Sequence, residues 1–242
     1  MWQKDLHTFY NRYSISRVGG ARQIKKVIMK KLLLVVVAAM MVGAVSAQEW
    51  QKNILGVRVG ANVANMNVDL LDTKARVNAH VGVSYERQLL KNLPLYLETG
   101  LQLTNKGFKF EYSDWEEDTS TKTTATYLEV PVMVNYKFNI QDVVTVYPSA
   151  GFYYAYGIAG KSKATDTYDG ESESYEDDTF GDEGMKRSDV GFRVGVSAVW
   201  KQFVFGIGYE GGFTDLGGSD EEDLISIKCK NTNFFISVGY NF

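Results

Sequence analysis

Seven charged residues sit at alternate positions among glycines and small polar residues, in segments whose other face is apolar: Arg58, Glu86, Glu98, Glu129, Lys137, Arg193 and Glu210. Opposite charges facing one another inside an enclosure can line a gated ion path or pair into a plug. An isolated charge in a dry interior is costly, whereas a hydrogen-bonded network of opposite charges is tolerable. A salt-bridge plug is therefore the expected arrangement. Four glutamates against three bases leave one carboxyl to be satisfied by a proton or by water.

Other chemistry-bearing groups are less well placed. His80 and Ser84 share a strand face about 13 Å apart at ~3.3 Å per residue, too far for a nucleophile and its base, which need roughly 3 Å. His7 lies far upstream. The stretch Lys161–Asp189 carries ten acidic and four basic residues. Its Asp166-Thr167-Tyr168-Asp169-Gly170-Glu171 run lacks the alternating acidic spacing of a calcium loop. Glu176, Asp177 and Asp178 have no His or Cys to complete a transition-metal site. No catalytic residue, metal or cofactor is assigned, and the stretch reads as a solvated, mobile loop. Tyr153, Tyr154 and Tyr156 read as an aromatic belt rather than a binding platform. Cys229 is the only cysteine, which excludes an intramolecular disulfide and leaves a plain thiol.

The elements that must position these groups are eight alternating segments: Asn53–Ala64, Asn78–Gln88, Pro94–Thr104, Thr124–Phe138, Val143–Gly157, Asp189–Trp200, Gln202–Phe213 and Asn231–Phe242. Alternation over about 10 residues marks a strand with one apolar and one polar face. The apolar face (Leu55, Val57, Val59; Phe203, Phe205, Ile207) is nearly free of charge. The opposite face carries the charges and many glycines, such as Gly56, Gly60, Gly82, Gly195 and Gly206. Glycine weakens a strand unless something approaches closely. A narrow, crowded interior explains it, so the apolar face must meet lipid. The alternative, a soluble lipocalin-like cup, would put the glycine-bearing face in water.

The predicted fold is all-β, an eight-stranded antiparallel up-and-down transmembrane barrel. Short connections at Leu90–Leu93, Asn139–Asp142 and Trp200–Gln202 alternate with long ones at Asn65–Val77, Asn105–Thr123, Ile158–Ser188 and Thr214–Lys230. That is the arrangement of short periplasmic turns and long outer loops. Tyr136, Phe138, Trp200, Phe203, Tyr240 and Phe242 gather at the short-turn end, as an interfacial girdle would.

Upstream, Met29-Lys30-Lys31 and the apolar Leu32–Val45 read as an export signal over 29–47, with Val45-Ser46-Ala47 placing cleavage between Ala47 and Gln48. Residues 1–28 read as a mis-assigned start and 48–242 as one barrel domain. From Gln48 onward, 28 acidic against 18 basic residues exclude nucleic acid as an expected partner.

The run Asn53-Ile54-Leu55-Gly56-Val57-Arg58-Val59-Gly60-Ala61-Asn62, the strand Leu128-Glu129-Val130-Pro131-Val132 and the ending Phe234-Phe235-Ile236-Ser237-Val238-Gly239-Tyr240-Asn241-Phe242 resemble the eight-stranded outer-membrane barrels of Bacteroidetes-type bacteria, called PorT-like or porin-family proteins. The resemblance implies a Gram-negative cell outer membrane, contact with its lipid and lipopolysaccharide, and delivery by the outer-membrane assembly machinery through a signal at Tyr240 and Phe242. Some such relatives are tied to protein secretion, and the length and acidity of Ile158–Ser188 favour a structural or interaction barrel, at the cell surface or associated with secretion, with a possible protein partner at the outer loops. A small-solute or ion pore is the alternative. A membrane-embedded lipid-modifying enzyme and a soluble binder stand further off.

Overall fold

The period-2 alternation becomes ten strands in the computed structural model, which describes residues 51–68, 73–113, 117–168, 171–180, 184–217 and 228–242. They are β1 (Asn53–Val68), β2 (Thr73–Gln88), β3 (Leu95–Ser113), β4 (Glu117–Tyr136), β5 (Phe138–Ile140), β6 (Val144–Tyr168), β7 (Glu171–Asp178), β8 (Ser188–Trp200), β9 (Phe203–Gly212) and β10 (Cys229–Asn241). The extension 1–28, the signal segment 29–47 and the Ala47–Gln48 cleavage lie outside the described residues.

All pairings are antiparallel. They run β1–β2, β2–β3, β3–β4, β4–β6, β6–β8, β8–β9 and β9–β10, and β10 pairs with β1. Two short strands depart from the eight expected segments: β5 pairs with the start of β6, and β7 pairs with its far end.

The two faces divide as the alternation predicts. Leu55, Val57, Val81, Leu101, Phe152, Phe205 and Ile236 are exposed, while Arg58, Asn62, Glu86, Glu129, Asn135 and Glu210 are buried. Phe152 is 61% exposed and Glu86 0%, the inverse of a water-soluble fold and the order expected when the outer solvent is hydrocarbon.

At one end the girdle aromatics meet. Tyr136 and Phe138 have ring centroids 4.9 Å apart, Phe203 and Tyr240 5.6 Å, and Tyr240 and Phe242 5.1 Å. The tight turn there places Gln141 and Asp142 at φ 52° and 57°, and the Val143 N–H donates to Ile140 O at 3.1 Å. Positive φ at both central residues matches the right-handed twist of the flanking strands.

The other end corrects three expectations. In the link Asn65–Val77, residues 65–68 belong to β1 and 73–77 to β2. The link Asn105–Thr123 is largely strand, because β3 and β4 stay paired from Asn105↔Thr126 to Ser113↔Asp118. The expected mobile loop after Ile158 is largely a hairpin, with β6 and β7 paired from Lys161↔Asp178 to Tyr168↔Glu171. In β4 and β7 the extensions are polar on both faces and alternation is silent, whereas Phe108-Lys109-Phe110-Glu111-Tyr112 continues the alternation in β3. The β-branched threonines at 119, 121, 123, 124 and 126 were the available signal. A bulge at Ile158, between Gly157↔Tyr127 and Ala159↔Thr126, marks where β6 leaves the apolar wall.

Inward glycines lie where strands and side chains crowd. A Cβ on Gly60 would meet the Ile236 carbonyl at 2.0 Å and the His80 ring at 2.4 Å. Backbone cannot yield as a side-chain tip can. Gly60→Ala is expected to destabilise the fold by about 1–3 kcal/mol, the usual cost of overpacking. The urea midpoint of the purified protein in lipid vesicles checks this, and an unchanged midpoint would show that β1 and β10 are less tightly apposed.

Asp215, between β9 and β10, accepts hydrogen bonds from the backbone N–H of Cys229 at 2.9 Å and of Gly217 at 3.2 Å. The first of these does most to hold its carboxyl below the ordinary aspartate value. A lowered folded-state pKa means that the stabilisation is present above about pH 3.9 and is lost as the pH falls through the lowered value. An NMR titration of the Cys229 amide is expected to give a midpoint below about 3.9. A midpoint at or above it would show that the carboxylate is not held this way.

Candidate functional site

The inward charges form two tiers. In the tier nearer the short turns, Lys137 on the β4–β5 connection reaches Glu86 of β2 at 2.6 Å, with Arg58 of β1 3.8 Å from the other Glu86 oxygen. Arg58 also donates to Asn241 Oδ1 at 2.9 Å. Glu98 of β3 is held differently: the Asn135 amide donates to it at 2.5 Å. The Lys137 ammonium lies 4.2 Å from the Tyr96 ring centroid and 5.1 Å from that of Tyr147.

In the outer tier, Glu129 of β4 and Glu210 of β9 are clamped between two cations. Arg193 of β8 is 3.0 Å from each carboxylate, and Lys106 of β3 is 2.9 Å from Glu129 and 3.1 Å from Glu210. Lys106 is 1% exposed. Asn233 donates to Glu210 at 2.9 Å and Arg193 to Gln102 at 2.9 Å. The Arg193 guanidinium also stacks 4.2 Å from the Phe235 ring centroid. Asp189 lies in the same tier and accepts from Tyr153 O–H at 3.1 Å and from Asn231 at 2.9 Å.

All seven charges singled out in the sequence therefore point into the lumen, and six of them engage in ion pairs. Lys106 was missed because it lay in the presumed link Asn105–Thr123, and Asp189 because, although it opens the segment Asp189–Trp200, it was counted with the acidic stretch Lys161–Asp189. Lys106 is two residues past Thr104 on the same strand face, so continuing the alternation by one step finds it. It is the fourth base and Asp189 the fifth carboxyl, so the excess of one carboxyl stands, yet each of Glu86, Glu129 and Glu210 has two cations within 4.0 Å.

His80 and Ser84 form no pair. His80 Nδ1 contacts Asn62 Oδ1 at 2.6 Å, and Asn62 donates on to Thr104 at 2.7 Å. Tyr153 corrects the belt assignment: it is buried, whereas Tyr154 and Tyr156 on the same strand are exposed. Alternation forces that split, since neighbours on a strand cannot share a face.

Between the tiers lies a cavity of ≈ 40 Å³ touched by Arg58, His80, Glu98, Met133, Arg193 and Phe235. That is room for a few water molecules, at about 10–15 Å³ of such space each. The outer mouth is capped by Phe180, which is buried and stacks edge-on to Tyr127 with centroids 5.5 Å apart. Arg187 fastens the cap, donating to Phe180 O at 2.7 Å and Gly157 O at 2.9 Å. Leu216, 0% exposed, packs nearby in the chain through the bond from Lys186 N–H to its carbonyl at 3.0 Å. Among the described residues no cluster of His, Cys, Asp and Glu has the makings of a metal site.

Residues 46–217 match a family model described as an outer membrane protein beta-barrel domain. No curated protein matches the chain. Similar solved structures include the outer membrane protein OprG from Pseudomonas aeruginosa, at 11% identity, covering 79% of this chain and 96% of that one with a TM-score of 0.43. Ail, the attachment invasion locus protein of Yersinia pestis, is 16% identical and covers 79% and 100% with a TM-score of 0.36. Neisserial surface protein A is 15% identical and covers 78% and 97% with a TM-score of 0.36. At such identities and scores the likeness carries nothing about function.

Proposed function

We propose that this chain, which belongs to the outer membrane protein beta-barrel domain family, acts as a closed eight-stranded barrel that presents an external sheet to a partner and does not pass solutes. It is a non-enzymatic protein of the outer membrane. The observation that carries the reading is the pair of buried charge tiers that cross the lumen, with a cavity of ≈ 40 Å³ between them. Eight strands leave an interior just wide enough for side chains, whereas 16–18 leave an aqueous channel. A chain with no free bore has its remaining mass outside the membrane, in the β3–β4 and β6–β7 hairpins. Exposed connections carry function more often than scaffolds do. Within this reading the protein is PorT-like, 29–47 is its export signal, and Tyr240 and Phe242 are read by the assembly machinery. Its partner is a surface or secretion component.

Two measurements test it. Purified protein in planar bilayers is expected to show no stable, large openings. Sustained steps whose ion selectivity shifts in Arg58→Glu or Arg193→Glu would replace the plug with an ion path. Replacing residues 162–177 by a short turn is expected to leave a folded barrel that fails to restore a knockout phenotype. Complete rescue by that variant would remove the hairpin as the working surface.

A further inference from the structure

Beyond the lipid-facing wall, β3, β4, β6 and β7 continue as one external sheet whose two faces differ in charge. On β4 the inward positions run on from Glu129 in steps of two to Thr123, Thr121 and Thr119. Residues directly opposite one another on neighbouring strands share a face. The registers therefore place Phe108, Phe110 and Tyr112 of β3 on one side of these threonines and Ser162, Ala164 and Asp166 of β6 on the other. Asp177, Tyr175 and Glu173 of β7 follow next, and Tyr168 and Glu171 complete the same face where β6 turns into β7. Side-chain contacts agree with this division. Tyr175 O–H donates to Glu173 on the inner face, while Thr165 and Thr167 meet Ser174 and Ser172 on the outer one at 3.0 and 2.9 Å.

Beyond Lys106, no lysine or arginine stands on the inner face among the described residues of the four strands, whereas Asp166, Glu171, Glu173 and Asp177 do. Lys106 itself lies deeper and is taken by Glu129 and Glu210. The bases Lys109, Lys122, Lys161 and Lys163 all fall on the outer face, where Glu111 and Glu176 pair with two of them. Asp166 and Glu173 stand directly opposite each other. Like charges so placed destabilise a sheet, and a cation laid across them relieves the repulsion.

The same face is lined with aromatic rings. Tyr112, Tyr168 and Tyr175 are each more than half exposed, and Phe108 and Phe110 are half-buried. Between the β3 aromatics and β7 runs a floor of threonine, serine and alanine two strands wide. With strands ≈ 4.8 Å apart, β3 and β7 are about 14 Å from each other, room for one extended chain laid along the strands. Carboxylates pair with ammonium and guanidinium groups, and tyrosine faces attract the same cations. A second copy of this chain is a poor occupant, because from Gln48 onward it holds 28 acidic residues against 18 basic.

We propose that the inner face of this external sheet binds an extended lysine- or arginine-rich segment of a partner protein, held between the aromatic strand β3 and the acidic strand β7. An extended segment turns every second side chain to one side, so alternate basic residues can all face the sheet. The inference rests on the reading of the external sheet as the presenting surface and names the chemistry of its partner.

The test uses the full chain, folded in nonionic detergent and checked by heat-modifiable gel mobility. The probe is a fluorescent peptide of about ten residues with arginine at every second position, matching the strand period. Asp166→Asn/Glu173→Gln is expected to weaken binding at least about tenfold, as loss of charge-assisted contacts should. Asp118→Asn/Asp178→Asn removes the same charge from the outer face and is expected to leave affinity within about twofold, since charges across the sheet are screened. Tyr168→Ala/Tyr175→Ala is expected to cost about threefold or more through lost cation–π contacts. Equal losses in the two carboxylate variants would reduce the attraction to net charge and overturn the site, as would equal binding of a peptide with glutamate in place of arginine. Displacement of the arginine peptide by a neutral oligosaccharide would overturn the basic occupant in favour of a glycan. If the arginine peptide fails to bind while replacement of residues 162–177 still fails to restore the knockout phenotype, the external sheet remains the working surface and the basic occupant alone falls.

Discussion

Lys106→Met is expected to destabilise the folded protein by about 3–5 kcal/mol, the usual consequence of removing one partner from a buried ion pair. Lys106 Nζ is shared by Glu129 at 2.9 Å and Glu210 at 3.1 Å. Its loss leaves two buried carboxylates facing each other with Arg193 as the remaining cation. The Tyr153 ring, whose centroid is 4.3 Å from the ammonium, cannot replace the charge. Methionine keeps the length of the side chain, so the effect isolates charge from packing. Urea titration in lipid vesicles, followed by heat-modifiable mobility, reads it. The double variant Lys106→Met/Glu129→Gln is expected to recover part of the loss, since it removes one of the two stranded carboxylates. If Lys106→Met stays within about 1 kcal/mol of the parent, below the cost of a broken buried pair, the outer tier is not what fills and fixes the lumen.

The same tier shows how far alternation reaches as a guide. Glu129, Arg193 and Glu210 could be assigned inward because each sits in a stretch where every second residue is apolar, which only a strand between hydrocarbon and a polar interior requires. Lys106 sits just beyond such a stretch and Asp189 at the very start of one, and the pattern dissolves there for a physical reason. Once a strand clears the membrane, water solvates either face and selection for apolar residues ends. Most of the hairpin extension was illegible for the same reason. In β4 and β7 the strand character is carried by backbone pairing, which leaves only the weak preference for threonine and other β-branched residues, while β3 still alternates through Phe108, Phe110 and Tyr112. Phe180 is the extreme case. Its burial against Tyr127 joins positions 53 residues apart in sequence, and the acidic stretch around it contains no apolar periodicity to announce a cap.

Removing β10 is expected to abolish insertion altogether. This strand matches β1 from Gly56↔Asn241 to Val68↔Cys229 and β9 from Thr232↔Gly211 to Tyr240↔Phe203. A chain ending at residue 228 would leave the facing edges of β1 and β9 bare. In hydrocarbon each unsatisfied backbone group costs several kcal/mol, and neither edge has water to turn to along its apolar span. Phe242→Ala should behave differently. The Phe242 backbone N–H donates to Leu55 O at 2.8 Å, and its side chain is 66% exposed. The substitution keeps that bond and removes a ring that packs mainly on Tyr240, so the folded protein should change little in stability. Any large effect must then fall on the rate of assembly, through the terminal aromatic that the assembly machinery is proposed to read. Gel mobility of outer-membrane fractions separates the two cases: no folded band for the truncation, and a folded band that accumulates slowly for Phe242→Ala. A folded, membrane-inserted band from the chain lacking β10 would show that β1 and β9 can close on each other, and the eight-strand closure would fall.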